Sequence, residues 1–239
     1  MVEILCAALL GALVPFVPGA RRLARLIATV VHEVGHCVAV VPFGGRIRRI
    51  TLRADGSGEA IVDLGRVPRM LRGPVRTLNL FAGYSSPVWL GVGLVAAATA
   101  DERLAPAIAL GVVGVIALVF VRNAFGAVLV MALAAIAVWT VLDAGTLIEA
   151  VLAGLGGLLV VDGMRSVLRV GRWLVVAAPV RTDFHIAAAE TRIPATLWFA
   201  LFLAAHVAIT VLIAPMLSVP ARALAAAART LLAPFGVSA

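Results

Sequence analysis

Seven apolar runs, at about 4–20, 26–43, 78–100, 104–121, 124–142, 146–162 and 195–217, take up most of this chain, and nothing else in it constrains the fold as strongly. A membrane-crossing helix needs about 20 consecutive, mostly apolar residues. Inside a bilayer each run must close its own backbone hydrogen bonds, which a helix does. Composition agrees: of 239 residues, 63% are hydrophobic and 13% charged, against roughly 45–50% and 25% in soluble domains. The runs predict an all-α polytopic membrane protein of roughly six or seven helices. The expected organisation is a single integral membrane domain over residues 1–239, with a basic loop at 44–77 and an Ala-rich tail at 218–239.

The formal net charge is +8, and every Lys/Arg position is Arg. A basic balance can signify nucleic acid. Here the arginines lie in short loops between apolar runs, the pattern that orients membrane helices. The expected partner is therefore the lipid bilayer, with no nucleic acid. The loop 44–77 holds Arg46, Arg48, Arg49, Arg53, Arg66, Arg69, Arg72 and Arg76, which places it on the cytoplasmic side. Alternation then puts Asp101, Glu102, Asp143 and Glu149 outside, and Arg122, Arg165, Arg169, Arg172 and Arg181 inside. Arg21, Arg22 and Arg25 conflict with that scheme if 26–43 crosses fully; a re-entrant first pair of segments would remove the conflict. Residues 1–20 lack a basic start and carry Glu3, so they read as a retained membrane segment. Alanine-rich, lysine-free usage suits a GC-rich bacterial genome, and hence the bacterial inner membrane. Cys6 and Cys37 both lie in apolar segments and read as small core residues.

Within the basic loop, RRITLRADGSGEAIVDLG alternates. Ile50, Leu52 and Ala54 fall on one side, then Ala60, Val62 and Leu64, with DGSG supplying turn residues between them. This predicts a β-hairpin whose strand edge could pair with an extended peptide.

The polar cluster that needs explaining is VVHEVGHC at 30–37. His32 and His36 are four apart, so on a helix they differ by about 40° in azimuth and about 6 Å along the axis. Two imidazoles so placed can reach one metal ion. Glu33, about 100° round from His32, falls beside that ion, where it can take a proton from an attacking water and return it to a leaving amine. This is the H-E-x-x-H arrangement of zinc hydrolases, and ionisable groups inside a membrane mark function by default. Gly35 lets a neighbouring helix or a substrate approach closely.

Catalytic zinc usually has three protein ligands and an open position. Asp162, in GLLVVDGMRS at the end of an apolar run, and Asp183, in VRTDFHIAAAE beside Arg181, compete for the third place. The expense of an unpaired intramembrane carboxylate favours Asp162. His185 and His206 are outside candidates, and His206, in LFLAAHVAIT, suits a helix–helix hydrogen bond better.

HEVGH in an apolar segment, followed by GGRIRRITLRADGSGEA, resembles the site-2 protease family of intramembrane zinc metalloproteases, closest to its short bacterial branch called B-like. FAGYSSP at 81–87 is similar to that branch's A-G-Y-x-G-P, VRNAFG at 121–126 to its R-N-x-F-G, and TDFHIAAAETRIPATLW at 182–198 to its S-D-A…T-x-x-P…W. The resemblance implies Zn2+ held at His32 and His36, Glu33 as general base, and a substrate-positioning segment around Tyr84. It also divides the third-ligand question. VDGMR is a partial match, through Asp162, to the larger family's L-D-G-G-R, whereas the B-like branch places its aspartate at Asp183. The implied activity is hydrolysis of a peptide bond in or near a membrane segment of a protein substrate. Two rival classes are a membrane scaffold or transport-associated protein with a structural zinc site, and zinc hydrolysis of a small lipid-like amide.

Overall fold

The computed structural model describes residues 2–142 and 147–213. Among these, eight α-helices and one hairpin follow in the order α1 (Val2–Leu13), α2 (Arg21–Val40), β1 (Arg46–Leu52), β2 (Gly58–Asp63), α3 (Arg72–Thr99), α4 (Leu104–Phe120), α5 (Ala124–Leu142), α6 (Leu147–Val175), α7 (Asp183–Thr191) and α8 (Ala195–Ile213). Each of the apolar runs becomes one helix, and α7 is the addition. The segments containing α2, α3 and α6 are long and apolar enough to cross a membrane; α1, α4, α5 and α8 are shorter apolar helices. Asp143 and the tail at 218–239 lie outside the described residues.

α3 and α6 pack side by side, with α1 against α6 and α2 against α3. Small residues make the central contact close: a Cβ on Gly91 or Gly156 would stand 2.6 Å from the other's carbonyl oxygen. Leu94, Leu110, Leu152 and Leu159 fill the interior. Leu9, Val115, Leu201 and Val211 point outward. That apolar exterior suits lipid, where every backbone group is already bonded within its helix.

Two boundaries differ from the sequence reading. α2 begins at Arg21, so all three awkward arginines belong to its first turns. α6 runs on through Asp162 to Val175, which puts Arg165, Arg169 and Arg172 on the helix rather than in a loop. Hydropathy fails at the first charge, but helical hydrogen bonding does not. Asp162, Ser166, Arg169 and Trp173, spaced about a turn apart, face one cavity.

The hairpin forms where the alternation predicts it. Its strands are antiparallel, pairing Arg46 with Asp63, Ile50 with Ala60 and Leu52 with Gly58, and a bulge falls between Ile47 and Arg49. Ile50 and Leu52 are buried against the helices. At the turn Gly56 takes φ +87, a conformation glycine adopts without a steric penalty. Asp55 accepts hydrogen bonds from Ser57 N–H at 2.9 Å and Ser57 Oγ at 2.7 Å. The sheet folds back along α2, so that its turn meets the helix start: Arg22 Nε donates to Ala54 O, and Thr29 Oγ1 donates to Gly56 O at 2.9 Å. The hairpin turn thus packs against the first turns of α2, with Gly56 against the Arg25 side chain.

The two hairpin edges are not equivalent. Arg122 N donates to Ile50 O at 3.1 Å. The Asn123 amide takes both Leu52 backbone groups, donating to Leu52 O at 2.6 Å and accepting from Leu52 N at 3.3 Å. The segment after α4 therefore covers the outer edge of β1. In an antiparallel pair, residues opposite one another turn their backbone groups either both inward or both outward. Ile50 and Leu52 face outward, so Ala60 and Gly58 face away from β1, toward α2.

Candidate metal centre

α2 brings His32, Glu33 and His36 to a cavity of about 610 Å³ bounded by α2, the hairpin, α3, α6 and α7. His36 Nε2 lies 3.1 Å from His32 Nε2 and 3.9 Å from Asp183 Oδ2. Among the described residues, His32, His36 and Asp183 form the group able to hold a metal, with their donor atoms within 4.8 Å of one another. Around a tetrahedral ion with bonds of about 2.0–2.1 Å, donors stand about 3.3 Å apart, and the two closest spacings bracket that value.

Tautomers strengthen the fit. His36 Nδ1 is 2.8 Å from Asn79 O; a carbonyl only accepts, so Nδ1 carries the proton and Nε2 keeps its lone pair. Asn79 Nδ2 also donates to His36 O at 2.8 Å. The His32 ring faces the backbone of Gly83. Pro87, inside α3, has no N–H to offer its helical partner four residues back, which leaves the Gly83 carbonyl free for that ring. The His36 lone pair then faces His32 Nε2 across 3.1 Å, a spacing that a cation between the two nitrogens would bridge.

Gly83 does a second thing: a Cβ there would stand 2.3 Å from Cε1 and Nε2 of the His36 ring, a clash. A-G-Y-x-G-P thus reads physically as room for one histidine and a freed carbonyl for the other. Tyr84, buried, packs edge-on against His32 with ring centroids 4.7 Å apart, and its hydroxyl faces the Asp183 carboxylate.

Asp183 owes its position to its neighbours. Thr182 caps α7, with its N–H donating to His185 Nδ1 at 3.2 Å and its hydroxyl 2.9 Å from the same atom. His185 is thereby occupied away from the donor group. Phe184, 0% exposed, stacks on Tyr84 at 5.2 Å and meets Phe199 and Phe202 edge-on. With Phe184 locked inward, the adjacent first residue of α7 lies at the cavity.

Asp162 is buried, at 3% exposed, and lines the same cavity, but it stands outside the donor group. Glu33, 5% exposed, faces the Ala60 backbone N–H of β2. Gly58 packs on it so closely that a Cβ would lie 2.7 Å from Glu33 Oε1. Gly35 faces α3, where a Cβ would stand 2.8 Å from Ala82 O, so its missing side chain serves helix packing. His206 lies elsewhere, with Nδ1 2.7 Å from Ser85 Oγ. Asn79, Gly83, Gly58 and Asn123 carried no role in the sequence reading. The motifs around 81–87 and 121–126 were the signal for two of them.

A family model described as Peptidase M50B-like matches residues 4–213. The chain belongs to the peptidase M50B-like family. It is therefore an integral membrane protein of the site-2 type of intramembrane metalloprotease, as the sequence resemblance implied. No curated protein and no solved structure matches it.

Proposed function

We propose that this M50B-like protein is a zinc endopeptidase of the bacterial inner membrane that hydrolyses a peptide bond in or near a membrane segment of a protein substrate. The observation that carries the reading is the convergence of His32, His36 and Asp183 on one point, with Glu33 beside it and a cavity in front. His32, His36 and Asp183 would hold the ion, Asp183 being preferred to Asp162 because its oxygen is the one near both imidazoles. Bound there, zinc would polarise the scissile carbonyl and acidify the attacking water.

This chain's own residues do the rest. Asn79 and Gly83 fix the two rings with their lone pairs forward, and Tyr84 orients the Asp183 carboxylate. Glu33 takes a proton from the attacking water and returns it to the leaving amine nitrogen. A helical amide is shielded by its own helix, so the substrate must be extended at the cleaved bond. Its strand would pair with β2, since Asn123 and Arg122 already cover β1. The outward Gly58 groups and the Ala60 carbonyl would carry that strand past Glu33, which itself faces the Ala60 N–H. A purely structural zinc would be closed by a fourth protein ligand; three donors facing a cavity favour catalysis over the scaffold reading.

The test is Glu33→Gln in purified, lipid-reconstituted protein. Zinc stays stoichiometric by elemental analysis while cleavage of membrane-segment peptides falls by about 10²–10⁴-fold. Cleavage that persists in a zinc-loaded variant would refute the mechanism.

A further inference from the structure

Away from the histidines the cavity changes sign. Arg25 and Arg169 line it from α2 and α6, with Arg53 and Arg181 also at its wall. Most carboxylates at that end already have partners. Asp55 is bonded within its own turn, and Glu59 pairs with Arg53 at 3.6 Å. Asp162 remains, under the charges of Arg169, Arg25 and Arg165. Arg165 is engaged elsewhere: its Nη1 donates to Pro15 O at 2.5 Å, and its guanidinium lies 4.4 Å over the Phe16 ring. Two half-buried guanidinium groups therefore bear on one buried carboxylate. Arg25 Nε is buried with no hydrogen-bond partner. A guanidinium nitrogen buried without a partner, in a wall with more cations than free carboxylates, is costly until an anion completes it.

We propose that the arginine end is a subsite for a carboxylate side chain of the substrate, so that the protein selects peptides bearing Asp or Glu near the cleaved bond. Arg25 precedes His32 by about two helical turns, or about 10 Å, a distance covered by about three residues of extended chain. The acid therefore belongs about three residues from the scissile bond. A peptide side chain fits better than a lipid phosphate because Gly58 and Ala60 of β2 line the same cavity as the arginines and histidines. A strand laid on β2 passes both ends. This inference deepens the peptidase reading and rests on it for the position of the acid.

The experiment has two arms. In the first, lipid-reconstituted protein digests a synthetic library of membrane-segment peptides with randomised centres, and the products are sequenced by mass spectrometry. Products are enriched about tenfold in Asp or Glu about three residues from the cut. Arg25→Gln flattens the enrichment while amide-containing peptides are still cut, and Arg169→Glu moves the preference toward Arg and Lys. Cleavage without acidic preference overturns the proposal and leaves the peptidase reading standing.

The second arm needs no cleavage. Extended alanine–valine decapeptides carrying one Asp or one Asn are titrated against the Glu33→Gln protein by fluorescence anisotropy. The Asp probe binds about tenfold tighter, and Arg25→Gln removes the difference. That result upholds the subsite even if the library is left uncut, in which case only the peptidase reading fails. Equal binding of the two probes overturns the subsite. So does equal binding accompanied by loss of phosphatidylglycerol retention in Arg25→Gln, which would make the arginines a lipid headgroup site.

Discussion

His36 and His206 are both buried in apolar helices, at 6% and 1% exposure, yet they are built for different ends. His36 has one nitrogen pinned by the Asn79 carbonyl and the other aimed at His32 and Asp183 across an open cavity. His206 has one nitrogen on Ser85, while its faces stack on Phe202 at 5.3 Å and Trp89 at 6.1 Å. Its second nitrogen is buried with no hydrogen-bond partner. What separates a candidate ligand from a helix fastener is therefore not the residue, its burial or its place in a membrane segment. It is what the second nitrogen faces: another set of lone pairs beside a cavity, or a closed wall of rings.

The largest effect expected from that contrast lies in metal content. His36→Ala loses stoichiometric zinc, whereas His206→Ala keeps it, as read by elemental analysis of protein purified in mild detergent. Equal zinc loss in both variants would break the comparison. Next comes the third donor. Asp183→Asn lowers zinc affinity by at least about 100-fold in competition with a chelating dye, since on the proposed reading it removes a ligand rather than an outer partner. Asp162→Asn changes it far less; the reverse order would return the third place to Asp162.

A smaller effect sharpens the other half of the contrast. Ser85→Ala leaves His206 with a buried polar nitrogen unpaired and costs about 1–3 kcal/mol, measured as reduced resistance to unfolding in detergent with zinc content unchanged. Loss of zinc without loss of stability would mean that the Ser85–His206 pair serves the metal site after all. The smallest effect belongs to the exposed turn. Ser57's N–H and hydroxyl, then Arg53, hold the Asp55 carboxyl below the ordinary aspartate range. A carboxyl lowered in the folded state stabilises the turn above its unfolded pKa, and that contribution fades as the pH falls through the folded value. Amide protection at the turn, measured relative to the intrinsic exchange rate at each pH, should fall on acidification below the aspartate range, and Asp55→Asn should remove the dependence.

The apolar runs by themselves determined the helices, because each must satisfy its backbone within itself. The four-residue spacing of His32 and His36 determined a shared helix face, because 3.6 residues make a turn. The alternation at 47–64 determined the hairpin in the same local way. Tertiary structure alone decided the rest. α6 continues past Asp162 because its charged face turns toward a cavity that hydropathy does not register. Asp183 stands near the imidazoles because Phe184 locks α7 against Tyr84, and nothing near Asp183 in sequence announces that anchor's partner. Asn79 aims the His36 ring from another helix, and Asn123 closes the β1 edge at Leu52. Periodicity is a property of one element and can be read from the chain; which lone pairs converge depends on how several elements dock.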